Sequence, residues 1–458
     1  MKKQVSLLTI FAIILGLFML SCKGGNEKEK HSGGELSYEA PEWSHDAVLY
    51  ELNVRQFTDE GTFNAVEGRV DDLAELGVDV IWFMPIHPIG EVNRKGPLGS
   101  YYSIKDFRDV NPEFGTIEDF KSLVNKIHDA GMHVMMDWVP NHSSWDNALA
   151  EEHPDWYAQD SSGNFVSPYD WTDVIQFDWS STGLQEYMME ALLYWVRDID
   201  VDGFRVDHPH VTPAEFWLEA RLEMDKVKPV LMLAENEDRA EFFNNGYDIN
   251  YSWELHHLMN QVAQGEAEAS VLNESLMRDK DRFPAHAGRL RFLTNHDENS
   301  WAGTIEERLG EAQRAFAVFI YTIPGVPLIY NGQETGLNKR LEFFERDPIE
   351  WNESDLREFY TSLNTLKEEN PALYFGKEEG DFTTAGVTGD EDVYIYSRTK
   401  DDNRVVSIIN FDDEPAEFVV SSDVTGDYVD YFSGDSVSID GEKAFMLDGW
   451  GYVVLVAR

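Results

Sequence analysis

Two periodicities alternate along this chain. Runs of apolar, β-branched and aromatic residues cover positions 48–57, 78–85, 133–139, 203–207, 230–235, 247–253, 289–293 and 326–330. Between them, stretches with apolar residues three and four apart fill 66–76, 117–130, 184–198, 213–227, 255–264, 271–281, 305–321 and 355–368. The first kind predicts buried strands and the second amphipathic helices. Gly77, Gly131 and Gly325 read as helix stops, and Pro213 suits a first helical turn. Eight strands, each followed by a helix, predict an α/β fold of the (β/α)8 TIM-barrel type. A doubly wound open sheet is the rival, but it rarely reaches eight such units, and no G-x-G-x-x-G follows the first strand.

The alternation lapses in two places. Residues 140–181 are rich in Trp, Asp, Ser and Pro without clear periodicity, as expected of a long functional loop at the C-terminal end of the third strand. From 376 onward, short strand-like runs at 393–398, 405–411, 416–420, 428–432 and 451–456 are separated by Asp, Gly and Thr turns. The expected organisation is a barrel over 45–375 with an inserted loop domain at 140–181, then an antiparallel β-sandwich over 376–458.

The N-terminus has a different character. Met1-Lys2-Lys3 is basic, and 5–20 is nearly all apolar, too short for a membrane span but right for a secretory signal. Cys22 is the single cysteine, so no internal disulfide forms. With Leu20-Ser21 before it, the segment resembles a bacterial lipoprotein signal, although Met19 stands where that signal usually has Leu. That resemblance implies removal of 1–21, lipidation of Cys22, a flexible tether over 22–44, and attachment to the cell envelope. Simple secretion is the alternative.

Composition narrows the partners. With 85 Asp and Glu against 37 Lys and Arg the formal charge is −48, which excludes a phosphate backbone as ligand and disfavours anionic lipid. Contact with membrane is then expected only through the lipid anchor. Oligomeric state is left open.

Within this acidic chain, four strand ends place polar groups after apolar runs: Asp137 with Asn141-His142, Arg205 with Asp207, Glu235, and Asn295-His296-Asp297. Barrel chemistry sits at the C-terminal ends of strands. Paired carboxyls there suit glycoside cleavage, in which one acid donates a proton and another attacks or activates water. Arg205 and Asp207 are two apart and share a face, so the guanidinium can hold Asp207 ionised. Glu235 follows a run of apolar residues, where burial is expected to raise its pKa.

These segments resemble the four motif regions of glycoside hydrolase family 13, the α-amylase family, over residues 45–375. The resemblance implies Asp207 as nucleophile, Glu235 as general acid/base and Asp297 as transition-state stabiliser. It implies Arg205 as the positioning arginine, His142 and His296 as ligands of the sugar at the cleavage point, Asp137 as a support from beneath, and Tyr102 as the ring stacked on that sugar. His210 occupies a place where relatives carry a substrate-binding lysine, and Val211 one where they carry a histidine whose carbonyl often binds calcium. Asn141 and Asp178 match two other calcium ligands, so a structural calcium is possible, and no cofactor is needed for the chemistry. The implied activity is retaining hydrolysis of α-1,4-glucosidic bonds in starch, maltodextrins or cyclodextrins.

Two other functions are weighed against it: glucosyl transfer or isomerisation through the same intermediate, and a non-catalytic surface glucan-binding lipoprotein. The intact acids argue against the last. Trp82, Trp195 and Phe204 are expected in the core, while Trp145, Trp156, Tyr157 and Trp171 could either pack the loop or stack on sugars. His256-His257 reads as packing.

Overall fold

A computed structural model describes residues 37–458, so the signal, Cys22 and most of the tether lie outside the described residues. The folded unit begins at Tyr38. Residues 38–44, expected to belong to the tether, are packed on the barrel: Tyr38 is buried with its hydroxyl donating to the Phe243 carbonyl at 2.8 Å, and Glu39 pairs with Lys377.

Eight parallel strands close into a barrel: β1 (Leu49–Leu52), β2 (Val80–Phe83), β3 (His133–Trp138), β4 (Gly203–Val206), β5 (Leu231–Ala234), β6 (Ile249–Tyr251), β7 (Gly288–Phe292) and β8 (Val326–Tyr330), with β1 paired to β8. Side chains alternate along each strand, and the inward set, including Leu49, Val80, Met135, Leu231, Leu233, Ile249, Leu290, Phe292 and Leu328, forms one fully buried cluster. The functional groups continue that inward register. Glu51 lies two beyond Leu49, Asp137 two beyond Met135, and Glu235 two beyond Leu233. Asp137 pairs with Arg205, and Arg205 with Leu233, so acids and arginine top the apolar column. At Gly203 a Cβ would come within 2.1 Å of the Leu231 carbonyl oxygen, so only glycine allows β4 and β5 to approach there.

Several element boundaries differ from the pattern. The first run ends as a strand at Leu52, because the Asn53 side chain accepts from Arg55 N–H and caps a helical turn over Val54–Phe57. The fifth strand is not followed by a full helix: only one short turn, Ala240–Asn244, fits before β6, whereas two helices, Trp253–Ala263 and Ser270–Arg282, follow β6. The stretch over 305–321 divides at Gly310 into Ile305–Leu309 and Gln313–Thr322.

The inserted segment after β3 contains a two-stranded ribbon, His142–Ser144 with Val174–Gln176, and a short helix Ala148–Glu152. The C-terminal part is an antiparallel sandwich of a six-stranded and a three-stranded sheet. It includes strands Asp381–Thr384, Ser436–Ile439 and Lys443–Leu447 that the pattern did not reveal, because their alternating positions are largely exposed. This sandwich packs on Gln313–Thr322 through Phe411 against Phe316 and Phe319, and through a Tyr396–Thr322 hydroxyl hydrogen bond at 2.6 Å. Trp82, Trp195 and Phe204 are fully buried, as expected. His256 is buried too, bonded to the Phe292 carbonyl.

Candidate active site

At the C-terminal mouth of the barrel a cleft of about 470 Å³ is lined by Tyr102, His142, Trp171, Asp207, His208, Glu235, His296 and Asp297. A larger surface hollow of about 920 Å³, lined by parts of 58–69, Lys339 and 348–351, contains none of these acids.

Arg205 organises the floor. It is fully buried, and its Nη1 donates to Asp137 at 2.9 Å and to Asp207 at 3.1 Å. Its Nη2 lies 2.8 Å from a Glu235 oxygen but out of line for an N–H bond, so this contact is an ion pair without directed hydrogen bonding. The rings of Trp82, Tyr102 and Tyr251 surround the guanidinium at 5.4–5.9 Å, replacing water with π faces.

Asp207 and Glu235 thus lie against the same guanidinium, 3.1 Å from Nη1 and 2.8 Å from Nη2 respectively. Burial first, then the neighbouring Glu235, push Asp207 well above the usual carboxylate range. For Glu235, burial alone acts upward, but Arg205 and the His208 N–H at 3.1 Å more than offset it and hold the group low. The expected order is thus reversed: it is Asp207 that is raised. The reason is that Arg205 does not serve only the acid on its own strand but reaches across to β5. Two carboxyls this close hold one proton between them over the intervening pH range.

A second chain of hydrogen bonds runs from β1. Glu51, fully buried, lies 2.5 Å from His296 Nδ1. His296 Nε2 meets the Tyr102 hydroxyl at 2.8 Å, and that hydroxyl donates to Asp137 at 3.0 Å. Burial acts to lower His296, but Asp297 and Glu51 overcome it and raise the ring to about 9, so it is a cation at neutral pH. His142 is the opposite case: burial lowers it to about 3, and as a neutral ring it donates from Nε2 to the Tyr102 carbonyl while Nδ1 accepts from Asn141. Asp297, 41% exposed at its side chain, projects into the cleft beside His296.

The structure therefore gathers Asp207, Glu235, Asp297, Tyr102, His142 and His296 around one space, with Arg205 and Asp137 beneath it. His210 does not line the cleft: its ring sits behind His208, 3.4 Å away between the two Nδ1 atoms, because Pro209 turns the chain after a left-handed His208. Of the loop aromatics, Trp171 faces the cleft. Tyr157 is buried, Trp156 stacks on His153, and Trp145 donates to the Thr172 carbonyl. Glu51 is not singled out by the sequence, and His208 is not assigned a place in this cleft by it. Glu51 carried a signal, an acid two beyond a core Leu at a strand end; His208 matters through its backbone N–H, which sequence does not advertise.

Of the calcium candidates, Asn141 Oδ1 is buried without a hydrogen-bond partner, and Asp178 Oδ1 accepts from the Ser180 N–H at 3.0 Å. Among the described residues no three acidic, imidazole or thiol side chains converge for a metal.

A family model described as alpha amylase, catalytic domain, matches residues 26–386. Alpha-amylase MalA of Haloarcula japonica is 30% identical over 449 residues, covering 93% of this chain but 65% of that protein, so the chain spans just under two thirds of this relative's length. Among solved structures, a noncanonic maltogenic alpha-amylase, AmyB, from Thermotoga neapolitana superposes with a TM-score of 0.83 at 27% identity, over 91% of this chain and 99% of that one. An alpha-amylase from Lactobacillus plantarum gives a TM-score of 0.82 at 29% identity, over 90% and 99%.

Proposed function

The chain belongs to the alpha-amylase family, and from that premise we propose that it is a retaining glycoside hydrolase acting on α-1,4-glucosidic bonds of starch, maltodextrins or cyclodextrins. The observation that carries this reading is the Asp207–Glu235 pair, both carboxyls resting on one guanidinium at the floor of one cleft. Retaining glycosidases hold their two carboxyls about 5–5.5 Å apart, too close for water to wedge between acid and sugar as inverting enzymes need.

In the proposed cycle a glucosyl unit rests on Tyr102, with His142, His296 and Asp297 facing its hydroxyls. The shared proton moves to Glu235, and Arg205 Nη1 stabilises the ionised Asp207, which attacks the anomeric carbon. Glu235 protonates the departing oxygen, then deprotonates the water that releases the glycosyl-enzyme. Because Nη2 is out of line with Glu235, no directed hydrogen bond from Arg205 keeps that carboxyl from the leaving oxygen. Carboxyl groups carry every step of this cycle.

Names among similar proteins, including a maltogenic alpha-amylase from Bacillus acidopullulyticus and a cyclomaltodextrinase from a Bacillus species, support small or cyclic glucans within this substrate class. The test is release of reducing sugar from maltodextrin and cyclodextrin by the purified protein and by its Asp207→Asn variant. Activity lost in a variant that keeps its thermal midpoint is the expected result. Binding without cleavage by the unaltered protein would instead favour a glucan-binding role.

For the N-terminus, the basic start, the apolar run and the single Cys22 support export and lipid anchoring. Mass spectrometry of the mature N-terminus tests it, with a free amine at any residue other than 22 as the contrary result.

A further inference from the structure

The two walls of the cleft differ. Beside Glu235 stand His208 and Trp171, with the 69% exposed Tyr169 next to them. On the far side the Tyr102 ring lies parallel to Phe343 at 6.3 Å. Beyond it the loop over 90–99 closes in. Arg94 binds the carbonyls of Gly90 and Ile89 at 2.7 and 3.1 Å, and Leu98 N–H donates to the Phe344 carbonyl at 3.2 Å. Gly96 has a φ of +63°, and a Cβ there would lie 2.4 Å from Phe344 Cβ, so the loop rests flush on that residue. From this loop Lys95 reaches the inserted segment, its Nζ 3.1 Å from Asp173 Oδ1, and both residues line the cleft. Asp173 is anchored in turn, its carbonyl accepting from Ser103 Oγ at 3.2 Å and its side chain only 6% exposed.

A partly exposed ion pair is weak alone. Here both partners are carried on backbone held by its neighbours, and the pair spans the cleft margin as a crossbar. Its position gives it a consequence. The sugar attacked by Asp207 loses its reducing-side neighbour toward Glu235, and its own O4 bears whatever chain continues toward the non-reducing end. That continuation must leave on the side away from Glu235, which ends β5; across the barrel, flanking β1, the loop after β2 that carries Lys95 packs on the loop after β8 that carries Phe343 and Phe344, and there Lys95 joins Asp173.

We propose that the Lys95–Asp173 bridge blocks the non-reducing side of the cleft, so that the protein trims short units from chain ends rather than cutting within long glucans. This rests on the hydrolase reading above. The experiment digests long linear amylose with the unaltered protein and with the Lys95→Ala/Asp173→Ala double variant, following loss of iodine colour per reducing end formed. The unaltered protein is expected to lose colour slowly and release short products. The double variant should lose colour severalfold faster per reducing end and release longer ones. Lys95→Met, which removes only the charge, serves as the second variant should the double one lack a cooperative thermal transition. Early colour loss by the unaltered protein, or an unchanged ratio in folded variants, would overturn the proposal. Absence of reducing sugar from every glucan tried would overturn the hydrolase reading itself, and the crossbar with it.

Discussion

Arg205 touches Glu235 without hydrogen-bonding to it: Nη2 stands 2.8 Å from the carboxylate yet out of line, while Nη1 of the same group is spent on Asp137 and Asp207. One cation thus orients the nucleophile candidate and leaves the acid/base candidate electrostatically held but unaligned. Glu235 is 15% exposed at its side chain, so it meets the cleft directly.

If Glu235 delivers the proton, its loss should matter in proportion to how badly the leaving group needs one. Glu235→Gln is expected to slow hydrolysis of maltodextrin by about 10²–10⁴-fold. On α-glucosyl fluoride, whose leaving group departs unaided, the first step should fall far less. Comparing kcat/KM for the two substrates in each protein makes the check; equal losses on both would remove Glu235 from the acid role.

The pH profile follows from the shared proton. The working form carries one proton on the Asp207–Glu235 pair. Its acid limb comes from the member held low by Arg205, and its alkaline limb from the member pushed up by burial and by its partner. The plot of kcat/KM against pH should therefore be a bell whose acid limb lies below the ordinary glutamate range and whose alkaline limb lies well above the carboxylate range. Two limbs both falling near ordinary carboxylate values would show that the acids do not interact.

Stability has its own pH signature at His296. Its folded pKa, about 9, exceeds the ordinary 6.5, so folding favours the protonated ring. That stabilisation is fully present below 6.5 and is lost as pH rises through about 9. Glu51→Gln removes one of the two carboxylates that raise it. The variant should lose about 1–3 kcal/mol near neutrality, and its alkaline decline should begin at lower pH. Thermal midpoints measured across that window, in both proteins, test this.

Much of this site was legible because barrel strands are buried on both faces and write continuous apolar runs, so a charged residue at the end of such a run stands out. Asp137, Arg205, Asp207 and Glu235 were found that way, and the motif resemblance added Tyr102, His142 and His296. What stayed hidden depended on partners distant in sequence. Nothing near Arg205 shows that its second nitrogen reaches β5, and nothing near Lys95 or Asp173, 78 positions apart by number, shows that they meet. Nor does the sequence around Pro209 show that His208 rather than His210 lines the cleft. In the C-terminal sandwich the missed strands are those with exposed faces, where alternation carries little hydrophobic contrast.

The most direct test of the central claim is to trap the covalent intermediate. Incubation with a fluorinated α-glucosyl fluoride that forms the glycosyl-enzyme faster than it breaks down, followed by proteolysis and peptide mass spectrometry, reads which residue carries the sugar. The mechanism predicts one added glycosyl group, on the peptide containing Asp207 and absent from the Asp207→Asn variant. A label on any other carboxylate, or turnover of maltodextrin with inversion at the anomeric carbon and no label, would contradict it.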